Sequence, residues 1–277
     1  MMKFLSKAYI YLIFALLYAP IVVLIVFSFN DGGSLSEFTG ISLKWYGELF
    51  RDEAALTALQ NSLILAVCSS LIATTIATFA ALGLHHMKKK YFKGMITSIT
   101  NIPMMNPDIV TGVSMMLLFV AVVGILKNAG VASADRFFGF GTMLIAHTTF
   151  NLPYALLSIT PRFNQLDKSL SEAAQDLGCT PTRAFFRVEL PEIIPGIISG
   201  LMMSFTLSLD DFVISHFVSS PNFQTLPLYV YNQTVHNVKF SMYALCALIV
   251  AIILAILLAV NFTGSVKDKK KSKGGAK

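Results

Sequence analysis

The fold of this chain is decided by the stretch Glu172-Ala173-Ala174-Gln175-Asp176-Leu177-Gly178 and, after a second helical pattern, Glu189-Leu190-Pro191, which lie between two hydrophobic runs. Gly178 is placed to end a first short helix in the left-handed conformation, and Thr180-Pro181 supplies the N-cap and first-turn proline of a second helix. Ser169 and Glu172 fit the S-x-x-E capping box at the start of the first helix. We therefore predict a folded polar hairpin, a kind of loop that a membrane protein presents to a cytosolic partner.

The composition predicts an all-α membrane protein. Hydrophobic residues make up 55% of the chain and charged residues 13%, against about a quarter charged in ordinary soluble domains. A membrane-spanning helix needs roughly 20 apolar residues. Six runs meet this requirement, at about 8–28, 59–84, 95–123, 138–160, 196–218 and 241–261. We assign 1–266 to a single transmembrane domain with six transmembrane helices, about 161–195 to the hairpin loop, and 267–277 to a basic cytoplasmic tail.

Basic residues fall on one side of these predicted spans. The segments 3–7, 88–93, 162–187 and 267–277 together hold 16 of the 21 Lys and Arg residues. By the positive-inside rule, this distribution places both termini and the hairpin in the cytoplasm. The net charge of +6 therefore reflects topology in a lipid bilayer, and nucleic-acid binding is not expected.

No catalytic, nucleotide-binding or metal-binding motif occurs in the sequence. The chain contains no G-x-x-x-x-G-K-[ST] phosphate-binding loop, no G-x-S-x-G elbow and no H-E-x-x-H pair. Its cysteines, Cys68, Cys179 and Cys246, fall in predicted membrane helices or a cytoplasmic loop, where no disulfide or metal framework is expected. We therefore expect no enzyme activity, no metal and no cofactor bound by this chain.

Three acidic residues lie inside the apolar runs: Asp108, Asp210 and Asp211. Placing a carboxylate at bilayer depth costs roughly 2.5–3.5 kcal/mol on insertion scales, so these residues are candidates for function. Pro103 and Pro107 are expected to break the third span beside Asp108. Broken helices at this depth line a cavity or are buried in protein.

The fifth span, taken as one continuous helix, turns its acidic pair towards protein. Small residues recur there every four positions, which allows another helix to approach closely: Gly196, Gly200, Ser204 and Ser208. At 100° per residue, Asp211 projects within the arc of this stripe and Asp210 lies about 100° to one side. Spacing leaves open which of the two contacts a ligand and which holds a neighbouring helix.

The predicted spans contain no Lys or Arg that could pair with these carboxylates. A positively charged transported molecule is therefore a candidate partner for them. Aromatic residues in the same part of the chain suit an organic polycation through cation–π contacts: Phe205, Phe212, Tyr229 and Tyr231. Two alternatives stay open. The acids could bond to Ser, Thr or Asn of neighbouring helices and only stabilise packing, or they could serve protons or metal ions.

The hairpin resembles the EAA loop of ABC importer permeases. The match consists of six residues at the spacing of that family: Glu172, Ala173, Ala174, Gly178, Leu190 and Pro191. The resemblance implies the type I ABC importer permease fold. It also implies that the hairpin docks in a groove of a separate ATPase subunit, which binds ATP and Mg, and transmits nucleotide-driven closure to the membrane helices.

Further segments are similar to the C-subunit permease of bacterial spermidine/putrescine ABC importers: Pro107–Val110, Ser204–Asp211, Pro221 and Leu226–Leu228. The similarity runs from the first predicted span through the sixth. It implies a permease of the bacterial inner membrane that imports polyamines by alternating access. The implied partners are a second homologous permease subunit, a dimer of ATP-binding subunits and a periplasmic polyamine-binding protein. We place Asp108, Asp210 and Asp211 along the cation path.

Other functions remain open at this point. An importer of another solute, such as an amino acid derivative, thiamine or an iron complex, would carry the same hairpin. An ion-coupled secondary transporter or channel would also use the three aspartates, but we find no inverted repeat, and the hairpin argues against this class. The external loop with Trp45 and Tyr46 suits a short helix at the membrane interface, with contact to an external binding protein as the alternative.

Overall fold

The structure, a computed structural model, describes residues 2–32, 37–130, 138–221, 223–236, 239–252 and 254. Regular structure in these ranges is helical, apart from isolated β-bridges that pair Asn30 with Ile41 and Ser220 with Phe223. The all-α class predicted from the composition is therefore confirmed for this part of the chain. The end of the sixth predicted span and the basic tail lie outside the described residues.

The helices follow one another without strands between them in the described ranges. In chain order they are α1 (Met2–Ser28), α2 (Lys44–Leu49), α3 (Glu53–His86), α4 (Lys90–Met105), α5 (Asp108–Asn128), α6 (Phe140–Gln165), α7 (Lys168–Asp176), α8 (Pro181–Ala184), a π-helical segment (Phe185–Glu189), α9 (Leu190–Asp210), α10 (Val213–Val218), α11 (Leu226–His236) and α12 (Ser241–Ile252). The chain divides into two compact units. The first comprises Met1–Leu56 and Val230–Lys277, and the second comprises Thr57–Tyr229.

Several helices of the described part have the length and hydropathy needed to cross a bilayer. They are Tyr9–Ser28, Glu53–His86, Asp108–Asn128 and Pro181–Asp210. α6 is 26 residues long but more polar, since it carries His147 and Asn151, and α12 is a shorter apolar helix. The chain is thus a multi-pass membrane protein, while the count of six spans stays a prediction.

The first unit is organised around Asn30, just beyond the end of α1. The buried side-chain amide of Asn30 accepts a hydrogen bond from the backbone N–H of Thr39 (2.9 Å) and donates one to the carbonyl oxygen of Glu37 (2.8 Å). The indole N–H of Trp45 donates to the carbonyl oxygen of Asn30 at 2.6 Å. This bond ties α2, the short helix expected around Trp45, to the end of α1.

In the second unit, α3, α6 and α9 meet along a seam of small residues. On α9 the seam is the predicted stripe, all of it buried: Gly196, Gly200, Ser204 and Ser208. On α3, buried small residues recur at the same interval: Ser69, Ala73, Ala77 and Ala81. α6 and α9 form the most extensive helix pair in the described part of the chain. The glycines allow this, because a Cβ added at Gly200 would lie 3.3 Å from the carbonyl oxygen of Ala155 in α6.

The third predicted span is broken where the sequence predicts it. α4 ends at Met105, Asn106 has an extended backbone, and Asp108 begins α5 directly after Pro107. Pro103 lies inside α4 and does not end it. The break therefore lies at Pro107 and not at Pro103, and a proline disfavours the helical conformation of the residue before it.

The fifth predicted span, 196–218, is not one continuous helix. α9 ends at Asp210, Asp211 has an extended backbone, and α10 begins at Val213. The side chain of Asp211 gives the physical reason. Its carboxylate accepts backbone N–H groups of the following turn, so it starts a new helix instead of continuing the old one.

Replacing Gly200 with leucine is expected to destabilise the detergent-solubilised protein by about 1–3 kcal/mol, because the added side chain must push against the α6 backbone and overpack the seam. The matched control is Gly124→Leu in α5, where an added Cβ meets no described atom within 4 Å. Thermal melting curves of the two purified variants check this. Equal melting temperatures would show that the seam does not depend on the close approach of α6 and α9.

Candidate functional site

Asp108 and Asp210 each lie at the end of a helix. Asp108 is the first residue of α5, and Asp210 is the last residue of α9. Both residues are exposed, and neither makes a hydrogen bond or ion pair with another described residue. Within the described part of the chain, both carboxylates are therefore available to a cation that comes from outside it.

Asp211 follows Asp210 directly but has different surroundings. Its side chain is only 7% exposed. Its carboxylate accepts hydrogen bonds from the backbone N–H groups of Ile214 (3.2 Å) and Ser215 (2.8 Å) in α10. The first N–H groups of a helix lack partners inside the helix, so Asp211 satisfies two groups that would otherwise be unpaired in an apolar environment.

The partner of Asp211 on a neighbouring helix is His147 of α6. Nε2 of His147 lies 3.4 Å from Oδ2 of Asp211 and 3.2 Å from Oγ of Ser215. Nδ1 of His147 lies 2.8 Å from Oγ of Ser208, whose hydroxyl also accepts a hydrogen bond from Ser69 at 3.0 Å. The side chains of His147 and Asp211 are 2% and 7% exposed, so the group is a buried polar network. We call these five residues the His147 network.

His147 is not among the site residues predicted from the sequence. One signal in the sequence could have found it, because His147 is the only histidine, acidic or basic residue in the predicted span 138–160. Ionisable residues in membrane helices are rare and usually face a polar partner. The partners of Asp211 are thus backbone N–H groups of α10 and a histidine of α6, and not the Ser, Thr or Asn side chains of neighbouring helices that the packing alternative names.

The aromatic residues expected along the cation path have different surroundings. Phe205 is half-buried on α9, Tyr229 is 5% exposed and Tyr231 is 43% exposed. Tyr231 belongs to the first unit, whereas Phe205, Tyr229 and the three aspartates belong to the second. A role for these aromatic rings in contacting cargo stays a prediction.

The predicted hairpin turn is present at Gly178. Gly178 has a φ of +87°, a conformation that favours glycine. The N–H of Cys179 donates to the carbonyl oxygen of Ala174, and the N–H of Gly178 donates to that of Gln175. These two bonds form the Schellman ending of α7. They pair two carbonyl groups in the last turn of the first hairpin helix.

The second hairpin helix also starts as predicted. Pro181 occupies the first turn of α8, and the hydroxyl of Thr180 accepts a hydrogen bond from the N–H of Arg183 at 3.4 Å. The N-cap of the first hairpin helix, however, was predicted wrongly. α7 begins at Lys168, and Asp167 caps it by accepting a hydrogen bond from the N–H of Ser169 at 3.0 Å. Ser169 therefore lies inside the helix, and the S-x-x-E capping box is absent.

The cap at Asp167 depends on pH. Hydrogen bonds from Ser169 hold the pKa of the Asp167 carboxyl below its usual range. A lowered pKa in the folded state means that the cap stabilises the helix above the unfolded pKa of the carboxyl. This stabilisation is lost as the pH falls through the folded pKa. At neutral pH the hairpin helix is therefore capped.

The hairpin covers part of its apolar surface with the second unit itself. Phe185 is 9% exposed and packs in a buried cluster with Phe163 and Ile193. Phe186 beside it is 54% exposed. The residues that match the EAA pattern are accessible to different degrees: Glu172, Ala173, Gly178 and Pro191 are exposed, and Ala174 and Leu190 are half-buried. The hairpin thus packs against its own unit on one side and presents an accessible surface on the other.

Comparison with known proteins identifies a matching family and similar permease proteins. Residues 73–264 match the family described as "Binding-protein-dependent transport system inner membrane component". The putrescine transport system permease protein PotI of Escherichia coli (strain K12) is 41% identical over 237 residues, which is 86% of this chain and 82% of PotI. The spermidine/putrescine transport system permease protein PotC of Haemophilus influenzae is 34% identical over 90% of this chain and 92% of PotC.

A solved structure shares the fold. It is a bacterial alginate ABC transporter in complex with an alginate pentasaccharide-bound periplasmic protein. One of its chains superposes with a TM-score of 0.74 over 94% of this chain and 93% of its own length, at 18% identity. The predicted ABC importer permease fold is therefore confirmed.

Replacing Asp211 with alanine is expected to destabilise the protein by about 2–4 kcal/mol, because it leaves two backbone N–H groups of α10 and a buried imidazole without their partner. The neighbouring control, Asp210→Ala, is expected to change stability by less than about 0.5 kcal/mol, since this exposed carboxylate has no bond to lose among the described residues. Thermal unfolding in detergent measures both. An equal loss of stability in the two variants would contradict the buried role of Asp211.

Proposed function

We propose that this chain, which belongs to the family of binding-protein-dependent transport system inner membrane components, is the membrane-spanning permease subunit of an ATP-driven importer of polyamines. The observation that carries the proposal is the 41% identity, over 86% of the chain, to a protein named as a putrescine permease. A second relative, at 34% identity, is named for spermidine and putrescine. The chain is a permease and not an enzyme, and it carries no nucleotide-binding motif of its own.

The chemistry of the second unit is consistent with a cationic cargo. Polyamines carry several ammonium groups, which carboxylates bind through charge-assisted hydrogen bonds. Asp210 lies at the C-terminal end of α9, where the helix dipole adds to the negative potential. Asp108 and Asp210 are exposed and have no hydrogen bond or ion pair to another described residue. In this proposal these two residues contact the cargo, and Asp211 holds the helix break.

The assembly in this proposal contains further subunits. A second homologous permease completes the membrane pathway, a dimer of ATP-binding subunits binds ATP and Mg, and a periplasmic polyamine-binding protein delivers the cargo. Both termini and the hairpin face the cytoplasm of a bacterium, and the permease resides in its inner membrane. The positive-inside distribution of Lys and Arg supports this orientation.

The hairpin is the coupling element of the proposed transporter. Its sharp turn at Gly178 and its accessible outer residues, Glu172 and Ala173, fit a surface that docks onto another protein. It continues into α9 through the π-helical segment without an intervening loop. A displacement of the docked hairpin would therefore act directly on the helix that ends at Asp210.

Labelled putrescine and spermidine uptake tests the cargo. In cells that lack their own polyamine systems and express this chain with its partner subunits, Asp108→Asn and Asp210→Asn are each expected to lower uptake by about tenfold at low substrate, because each removes one charge-assisted contact. Glu53→Gln is the matched control, since Glu53 is also an exposed carboxylate in the first turn of a helix. Uptake at the native level in both aspartate variants would refute the assigned path, and absence of uptake by the native complex would refute the polyamine cargo.

Substitution of Gly178 tests the coupling role. Gly178→Asp is expected to abolish uptake and to uncouple the ATPase from transport. Gly130→Asp is the matched control, because Gly130 has a φ of +81° and an equally open Cβ position among the described residues, so the backbone strain is similar. The measurements are uptake and ATPase activity at equal amounts of protein in the membrane. Normal uptake by Gly178→Asp, or equal loss in both variants, would contradict docking at the hairpin.

A further inference from the structure

We propose that His147 is a positioning residue for polyamine import: it fixes the break after α9 and thereby sets the direction in which Asp210 meets the cargo. The role of His147 in import rests on the proposed function. Its structural part, control of the break, does not depend on the identity of the cargo.

The contacts of the imidazole cross the break. Ser208 lies in the last turn of α9, Asp211 lies in the extended link, and Ser215 lies in α10. One ring from α6 contacts all three, at 2.8, 3.4 and 3.2 Å. Both ring nitrogens are engaged. The ring therefore joins the helix before the break, the link and the helix after it.

The burial of the ring makes these contacts important for the local geometry. The side chains of His147 and Asp211 are 2% and 7% exposed, so in the native fold bulk solvent does not compete for their contacts. Asp211 itself holds two backbone N–H groups of α10. A ring that holds Asp211 therefore holds the start of α10 as well. Without the ring, the Asp211 carboxylate loses its contact with α6.

The direction of Asp210 follows from this geometry. Asp210 is the last helical residue before the link, and its own side chain has no hydrogen bond or ion pair to another described residue. Its placement is thus set by the backbone on either side and not by its own contacts. An acidic group held in advance at the right place binds a cation with less loss of conformational freedom. His147 supplies this preorganisation without contacting the cargo.

The kinetic test uses the assembled transporter in membranes. His147→Ala is expected to raise the KM for putrescine uptake about tenfold, with an unchanged amount of complex, because one preorganising interaction is lost. His147→Gln, which retains a hydrogen-bonding group, is expected to raise KM less and serves if the alanine variant does not assemble. Ser204→Ala is the matched control: Ser204 is buried one turn earlier on the same stripe, and its hydroxyl has no hydrogen-bond partner among the described residues.

A double variant separates positioning from general packing. If His147 acts through Asp211, adding His147→Ala to Asp211→Asn should raise KM little beyond the effect of the single variants, since both disrupt the same interaction. A native KM in His147→Ala and His147→Gln complexes would overturn the proposal. So would an effect of Ser204→Ala as large as that of His147→Ala, or full additivity in the double variant.

Hydrogen exchange of the purified complex provides a readout that does not involve the cargo. The N–H groups of Ile214 and Ser215, which Asp211 holds, are expected to exchange about tenfold faster in His147→Ala, because their opening becomes easier. The N–H groups of 200–206 should keep their native rates. If the native complex transports no polyamine but exchange changes in this way, the proposed cargo fails and control of the break stands. Unchanged exchange at 214 and 215 would refute control of the break.

Discussion

A buried backbone N–H group without a hydrogen-bond partner is costly, and the interruption of α9 leaves the first N–H groups of α10 without partners inside a helix. The structure satisfies them with one carboxylate, Asp211, which accepts from Ile214 and Ser215. The carboxylate is in turn held by the imidazole of His147 from a different helix. The geometry of the interruption therefore depends on a contact from α6 and not on the residues of α9 alone. The ends of α9 and α10 keep their geometry only while α6 stays in place.

Close packing keeps α6 in place. Gly200 permits contact with the backbone of Ala155, and a Cβ added at Gly196 would lie 2.6 Å from the side chain of Arg162. The same face of α9 continues through Ser204 to Ser208, which bonds to His147. Small residues near the hairpin end of α9 and polar residues near the break are thus two parts of one interface. The first part brings the helices together, and the second determines where the helix stops.

Much of this could be predicted from local rules of the sequence. Gly178 and Thr180-Pro181 act through their own backbone geometry, so the hairpin turn and the second cap were predicted correctly. Pro107 broke the third span for the same kind of reason. Asp167 was missed because two residues two positions apart, Asp167 and Ser169, are both of a type that caps a helix N-terminus, and the spacing to Glu172 favoured Ser169. The two capping patterns place the N-cap at different residues, and only the hydrogen bonds in the structure show which of them forms.

The break after Asp210 could not be predicted in this way, because its cause lies far along the chain. An arc computed for a continuous helix turns Asp211 towards the small-residue stripe, but the carboxylate reaches its partners after the helix has ended. His147 is 64 positions away and forms no motif with Asp211 in the sequence. Interactions across helices of this kind require the packing register, which a single sequence does not contain. For this reason spacing left open which aspartate contacts a ligand and which holds a neighbouring helix, although their surroundings in the fold differ.

The π-helical segment before α9 has a consequence of a different kind. The N–H of Leu190 donates to the carbonyl oxygen of Phe185, five residues back, so this turn holds one residue more than an α-helical turn. The wider turn coincides with Pro191, whose ring would clash with a carbonyl four residues earlier in regular α-helix. Removing a single residue here would rotate everything that precedes it by about 100° around the helix axis. Phe185 would then point away from its buried cluster. The segment therefore cannot lose a single residue without losing this packing.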